Sequence, residues 1–297
     1  MLNTKNTFST VDYSTRVKNL IIMGPGESLI DKAEEIKSLE NTQILALQWV
    51  FPYSHKLFNF VPDFWTWGDP HGAIEGLQYI LENHQEYPEI KSMKIILPHC
   101  VCLTYQIFRN YFGTTPLGRG PHLWKNYLDL LAEVSSIIEV EKIKSTTTKN
   151  IFLDPINNQD LLGDTHDTEA FIRFMKQPVF GTVKYDSDKV IGSINKWGLE
   201  NKISSIMLPL AHYLGAKNVY CIGFDFIGAR IYDKSRSRHA WGNDITNLNE
   251  NIKFSLSLVK KWLEWKEYHD MEIYSIAENS ASLLNLVVPY KNVSDIE

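Results

Sequence analysis

The sequence predicts an α/β protein: a mostly parallel sheet flanked by helices. Short apolar runs recur along the chain, and helical patterns separate several of them. The first run, Leu20-Ile21-Ile22-Met23, also passes directly into the glycine turn Gly24-Pro25-Gly26-Glu27-Ser28-Leu29. Strands alternating with helices build βαβ units whose strands run parallel.

In chain order, strands are expected at Asn19 to Met23, Gln43 to Gln48, Phe64 to Trp67, Met93 to Leu97, Asn218 to Ile222 and Glu272 to Ile276. Helices are expected at Ser28 to Leu39, Gly72 to Asn83, Leu123 to Val140, Ser205 to Leu214 and Asn251 to Tyr268, with Gly215 placed to close the fourth. From 100 to 200 the rhythm breaks. Ser145-Thr146-Thr147-Thr148 and Asp154 to Asp167 are polar and weakly periodic. The whole chain, 1–297, reads as one Rossmann-like domain, with an insertion or lid at about 100–200.

Bulk properties narrow the class. A hydrophobic content of 44% over 297 residues is enough for one large core. A net charge of -5 supplies no basic field for nucleic acid. The odd cysteine count (Cys100, Cys102, Cys221) argues against a disulfide framework and for structural thiols in a reducing cytoplasm. No second cysteine pair completes a zinc site, and no metal ligand set is assigned. The polar residues 1–15 lack an apolar signal core and no run has the length of a membrane span, so a cytoplasmic protein is expected. Peripheral membrane attachment through a partner and a homo-oligomer stay open. The aromatic residues suit sugar or base stacking, although most are expected in the core.

Ligands of parallel sheets bind at the carboxyl ends of the strands. Gly24, Gln48, Asp69, His99 and Asp225 occupy those ends. At Gly24 and Gly26 a ligand's phosphate could approach the backbone, facing the N-terminus of the helix from Ser28; a plain tight turn is the alternative. The turn is neither a Walker loop nor a full dinucleotide fingerprint, because Ile30 and Asp31 stand where a third glycine is expected. Asp69 could bind ribose hydroxyls or a metal, or with Pro70 simply start a helix. Asp225, within Gly223-Phe224-Asp225-Phe226, is a ligand-facing acid or an Asx turn. Tyr232 to Asn243 gathers Lys234, Arg236, Arg238 and His239 beside Tyr232 and Trp241. Such a loop can clamp a diphosphate with His239 as general acid or base, or lie in solvent. His71, His99 and His122 are weaker candidates.

These pieces, in this order, resemble the bacterial sialyltransferases of glycosyltransferase family 42 and the related 6-hydroxymethylpterin diphosphokinase-like domains. Gly24-Pro25-Gly26-Glu27-Ser28-Leu29 resembles their Gly-Asn-Gly-Pro-Ser-Leu turn. Val61-Pro62-Asp63-Phe64 leading to Asp69-Pro70 resembles the Pro-Asp-Tyr…Asp-Pro element of the pterin-kinase-like members. Ser204 through Asp225-Phe226 is similar to the segment ending in Gly-x-Asp-Phe/Met, and Ala277-Glu278-Asn279-Ser280 with Leu283, Leu284 and Pro289 to a Pro-Asn-Ser-Leu-Leu stretch. The resemblance implies a GT-A-like variant of the Rossmann-like sheet, with Gly24, Pro25, Gly26, Ser28, Gln48, Asp69, Ser204, Asp225 and Phe226 lining the nucleotide. It places Tyr232 near a phosphate-binding tyrosine. Pro25 stands where those proteins carry asparagine, Ile227 where they carry a first tyrosine, and Asn247 near the place of their histidine.

Three functions are thereby expected. The first is a glycosyltransferase moving a sugar from a CMP-sugar or similar donor to a glycan or other hydroxyl acceptor without a metal. Tyr232, Arg236 and Arg238 would serve the leaving phosphate there, with His239 as the base. The second is pyrophosphate transfer from ATP, with Mg²⁺ held by Asp69 and Asp225. The third is a nucleotide- or glycan-binding module without turnover.

Overall fold

The fold is taken from a computed structural model, which describes residues 17–67, 71–97, 121–142, 183–186, 189–191, 207–226, 231, 250–264, 270–278 and 281–296. The strands are β1 (Asn19–Met23), β2 (Thr42–Leu47), β3 (Phe64–Thr66), β4 (Lys94–Leu97), β5 (Val140–Lys142), β6 (Val183–Asp186), β7 (Lys189–Ile191), β8 (Asn218–Ile222) and β9 (Glu272–Ser275). The helices are α1 (Ser28–Lys37), α2 (Val50–Phe58), α3 (His71–Asn83), α4 (Pro121–Val134), α5 (Leu208–Tyr213) and α6 (Glu250–Glu264).

Seven strands form one sheet in the order β5-β4-β3-β2-β1-β8-β9, and every pairing in it is parallel. β6 and β7 form a separate antiparallel pair. All five residues of β1 are buried, as expected of a parallel strand covered on both faces. The pleat then divides its side chains. Leu20 and Ile22 enter one core with Leu210, Leu256, Val259 and Trp262 of α5 and α6. Ile21 and Met23 enter the other with Leu29 and Ile36 of α1, Phe51 of α2 and Leu77 of α3. The sheet is therefore wound on both faces, the Rossmann-like α/β architecture expected.

Local chemistry sets the element ends. Asp31 in the first turn of α1 and Lys37 in the last complement the helix dipole. Asn59 closes α2 in the left-handed conformation, donating its N–H to the His55 carbonyl at 2.8 Å. Gly215, with φ of 75°, ends the α5 turn as expected. In α3, Gly76 lets Trp65 lie against the helix: a Cβ there would fall 2.4 Å from the indole.

β1 and β8 coincide with their expected bounds, and the other strands of the expected set differ by a residue at one end or both. Two expectations change. The helix expected from Leu123 to Val140 stops at Val134, where the Ser135 and Ser136 hydroxyls donate to the Ala132 and Glu133 carbonyls, each at 2.7 Å. Val140 then opens β5, parallel to β4. So 121–142, read as part of an insertion, adds a helix and the edge strand to the sheet. α2 occupies 50–58, where the sequence pattern assigns no element.

Candidate functional site

β1 lies inside the sheet. The chain runs outward from it through β2, β3, β4 and β5, and later returns to place β8 on its other side. The junction of β1 and β8 is a topological switch point, the place where parallel sheets open a crevice at their carboxyl ends. The glycine turn after β1 and the Gly223–Phe226 loop after β8 meet there.

They meet closely. The Gly24 N–H donates to the Ile222 carbonyl and the Gly26 N–H to the Gly223 carbonyl, both at 2.8 Å. A Cβ on Gly24 would lie 2.5 Å from the Gly223 oxygen, and one on Gly223 would lie 2.2 Å from the Gly24 oxygen. Gly223 also has φ of 73°, a conformation that favours glycine. A Cβ on Gly26 would lie 2.2 Å from Asp225 Oδ2. The glycines were expected to let a ligand approach; the atoms that approach them are the protein's own.

Asp225 is 3% exposed. Its Oδ2 accepts the Ser28 N–H at 3.0 Å and its Oδ1 accepts the Ser28 hydroxyl at 2.5 Å. The same hydroxyl oxygen accepts the Gly223 N–H at 3.0 Å. This closes a clasp between the first turn of α1 and the loop after β8. Glu27, at the N-cap position, makes no side-chain cap, so the distant carboxylate takes that part. At this helix end, expected to offer its N–H groups to a phosphate, the Ser28 N–H is given to the Asp225 carboxylate. Asp225, expected to face a ligand or a metal, is buried here with both carboxylate oxygens engaged by Ser28.

Burial pushes the Asp225 carboxyl up to about 6; the two Ser28 hydrogen bonds pull it down, and the negative charges of Glu27 and Asp31 push it up again. Cys221, one strand position before Ile222, is buried with its thiol pushed up to about 12, which fits a structural thiol.

Gln48 and Phe226 complete the carboxyl edge. Gln48 follows β2, is 7% exposed and has φ of 52°. Its N–H donates to the Thr66 carbonyl, and its own carbonyl accepts the Trp65 indole N–H, each at 2.7 Å. Phe226 has φ of 62° and packs half-buried on the α5–α6 core. Left-handed φ at glutamine or phenylalanine costs about 1–3 kcal/mol and needs support from its surroundings. The half-buried Pro25 accepts the Ile231 N–H at 2.9 Å through its carbonyl.

Ser282 was not singled out in the sequence. Its hydroxyl donates to the Phe224 carbonyl at 3.0 Å and accepts the Leu284 N–H at 3.2 Å, while the Leu283 N–H reaches the Asp225 carbonyl at 3.0 Å. A serine two residues before Leu284 in an apolar run is the local turn signal that could have found it. Asp69, Ser204, Tyr232, Lys234, Arg236, Arg238, His239, His99, Cys100 and Cys102 lie outside the described residues. Among the described residues no group of three or more His, Cys, Asp or Glu is placed to hold a metal, and no helix is long and apolar enough to cross a membrane.

Fold and edge together define a doubly wound α/β protein with a laced switch point. No protein-family model matches the chain, and no curated protein matches it. Among solved structures, it is similar to an α-2,3-sialyltransferase from Campylobacter jejuni in apo form (13% identity, TM-score 0.44, 95% of this chain and 82% of that one). It is also similar to the Campylobacter jejuni sialyltransferase CstII in complex with the substrate analogue CMP-3FNeuAc (14%, TM-score 0.45, 94% and 88%). A third likeness is to sialyltransferase CST-II with a trisaccharide acceptor and CMP (15%, TM-score 0.44, 94% and 89%).

Proposed function

We propose that the chain is a glycosyltransferase that binds a nucleotide-activated sugar, CMP-linked in the favoured form, at the β1–β8 switch point and transfers the sugar to a glycan or other hydroxyl acceptor. One observation carries the reading. Strained backbone at Gln48 and Phe226 and a buried carboxylate at Asp225 gather at the carboxyl edge of a parallel sheet, where ligands of such folds sit. The motif resemblance adds the nucleotide-sugar chemistry.

In this reading the edge formed by Gly24, Pro25, Gly26, Gln48 and Phe226, with Asp69 and Ser204, holds the nucleotide. The acceptor oxygen forms a bond to the sugar carbon as the bond from that carbon to the phosphate oxygen breaks. CMP leaves with the bonding electrons, and the acceptor proton passes to His239. Tyr232, Arg236 and Arg238 stabilise the departing phosphate, and no metal enters the step. Following CMP release from CMP-sialic acid or a related CMP-sugar, with an acceptor and with EDTA present, tests this. Turnover supports the reading. His239→Ala is expected to lower it at least about a hundredfold, and near-normal turnover in that variant removes His239 from the mechanism.

A binding module without turnover is the second reading. It is favoured by Pro25, Ile227 and Asn247, which stand where the resembled sialyltransferases carry asparagine, tyrosine and histidine. Nucleotide binding with no release from any nucleotide sugar selects it. AMP production from ATP, a pterin alcohol and Mg²⁺ selects pyrophosphate transfer instead.

A further inference from the structure

The anion seated at the start of α1 belongs to the protein. Asp225 is held from both sides. Its carboxylate takes the Ser28 N–H and hydroxyl, and its carbonyl takes the Leu283 N–H. The loop after β8 is thus fastened to α1 on one side and to the segment after β9 on the other. Ser28 completes the lock, because its hydroxyl gives one hydrogen bond to Asp225 and receives one from the Gly223 N–H. Gly26 is explained by the same contact: a Cβ would overlap Asp225 Oδ2.

We infer that Asp225 is a positioning residue: its carboxylate, clasped by Ser28, sets the spacing of the two loops that flank the switch point and does not itself meet the ligand. A helix can be capped more cheaply. Serine or asparagine would receive an N–H without bringing a charge into the interior. What a carboxylate adds is two acceptors on one rigid plane, one for the Ser28 N–H and one for its hydroxyl, while that hydroxyl stays free to receive Gly223. The charge is kept although Glu27 and Asp31 of α1 oppose it and burial disfavours it. Lys32 of α1 is paired with Glu35 at 2.9 Å and with Glu278, beyond β9, at 3.7 Å. A group retained against its own stability at the edge where a ligand is expected points to precision in that edge. Bound nucleotide would then meet the surface that the clasp shapes, with Gln48 and Phe226 beside it.

The functional half of this inference rests on the nucleotide-binding reading, so two measurements are paired. In the first, CMP and 2′-deoxy-CMP are titrated into wild type, Asp225→Asn, Ser28→Ala and Ser28→Thr by calorimetry across about pH 5 to 8. A positioning role predicts that Asp225→Asn and Ser28→Ala weaken both ligands by the same factor, about tenfold, while Ser28→Thr keeps the hydroxyl and recovers most of the loss. The ratio of wild-type to Asp225→Asn affinity changes through about pH 6; the ligand phosphate's own ionisation is common to both and drops out. Equal affinities at every pH overturn the inference. So does a penalty for Asp225→Asn that vanishes with 2′-deoxy-CMP, because Asp225 would then be touching the ribose.

In the second measurement, amide hydrogen exchange is followed in the ligand-free proteins. Ser28→Ala is expected to speed exchange at Gly26 and Gly223 by about tenfold or more relative to the rest of β8. Unchanged exchange overturns the clasp. If wild type binds no CMP, the nucleotide reading fails, and the exchange result alone decides whether the clasp holds these loops.

Discussion

The two ends of the sheet solve the same local problems at very different cost. At the amino end, Asp63 receives the Ile44 N–H on its carboxylate at 2.7 Å and the Lys94 N–H on its carbonyl at 2.7 Å. At the carboxyl end, Asp225 receives the Ser28 N–H on its carboxylate and the Leu283 N–H on its carbonyl. Each aspartate joins three elements. Asp63 is an exposed residue whose carboxyl is part-buried and pushed up by that burial, whereas Asp225 is buried as a whole. Left-handed backbone divides in the same way. Near the amino end it falls on Asn41 and Asn59, with φ of 57° and 50°, and asparagine adopts that conformation readily. At the carboxyl end it falls on Gln48 and Phe226, which do not. The amino end is built economically. The carboxyl end carries strain and buried charge, the pattern expected where geometry is held for a ligand.

Substitutions at the carboxyl end should therefore cost more. Gly223→Ala is expected to have the largest effect. The left-handed φ costs alanine about 1–2 kcal/mol, and overlap with the Gly24 carbonyl adds about 1–3 kcal/mol. Urea denaturation should register a loss of about 3 kcal/mol or more; a loss below about 1 kcal/mol would mean the two loops move apart easily.

The pH dependence of stability comes next. Asp225 has its folded pKa raised from 3.8 to about 6, so the folded chain holds this proton more tightly than the unfolded one. Its contribution to stability is full below about pH 4 and is lost as pH rises through about 6, a change of roughly 3 kcal/mol. Subtracting the stability profile of Asp225→Asn from that of wild type isolates this slope. A flat difference across the interval would mean that the Asp225 carboxyl is solvated in the folded chain.

Ser28→Ala should cost about 2 kcal/mol, because it leaves Asp225 Oδ1 and the Gly223 N–H buried without this partner. The smallest effect belongs to the amino end. Asp63→Asn keeps an oxygen that can receive the Ile44 N–H and removes a charge that partial burial disfavours, so its thermal or urea midpoint should correspond to a loss under about 1 kcal/mol. An Asp63→Asn penalty equal to that of Ser28→Ala would erase the distinction between the ends.

Much of the fold was legible because its strands are buried on both faces. Leu20-Ile21-Ile22-Met23 and Val219-Tyr220-Cys221-Ile222 read as continuous apolar runs, which parallel strands require. α2 was harder to see: Val50-Phe51 continues the apolar run of β2, and Pro52, tolerated in a first helical turn, masks the start. The end of α4 was misplaced because Ile137, Ile138 and Val140 continue its apolar pattern past the serines that stop it.

At the site, Gly24, Gln48 and Asp225 could be located at strand ends from the sequence, but their partners could not. Ser28 and Asp225 are 197 residues apart, and no local pattern couples them. A glycine that admits a ligand and one that admits the protein's own carboxylate look identical in a sequence. Only the topology, with β8 returning beside β1, distinguishes them. The strain at Gln48 and Phe226 was equally hidden, since neither residue type announces a left-handed backbone.

The most direct test of the central claim is to titrate ¹⁵N-labelled protein with CMP and map the backbone amides whose NMR signals move. A ligand site at the β1–β8 switch point predicts the largest shifts at Gly24, Gly26, Gln48 and Phe226, with Ile44 and Asp63 at the amino end still. Shifts centred on the amino end, or none anywhere on the carboxyl edge at saturating CMP, would contradict it.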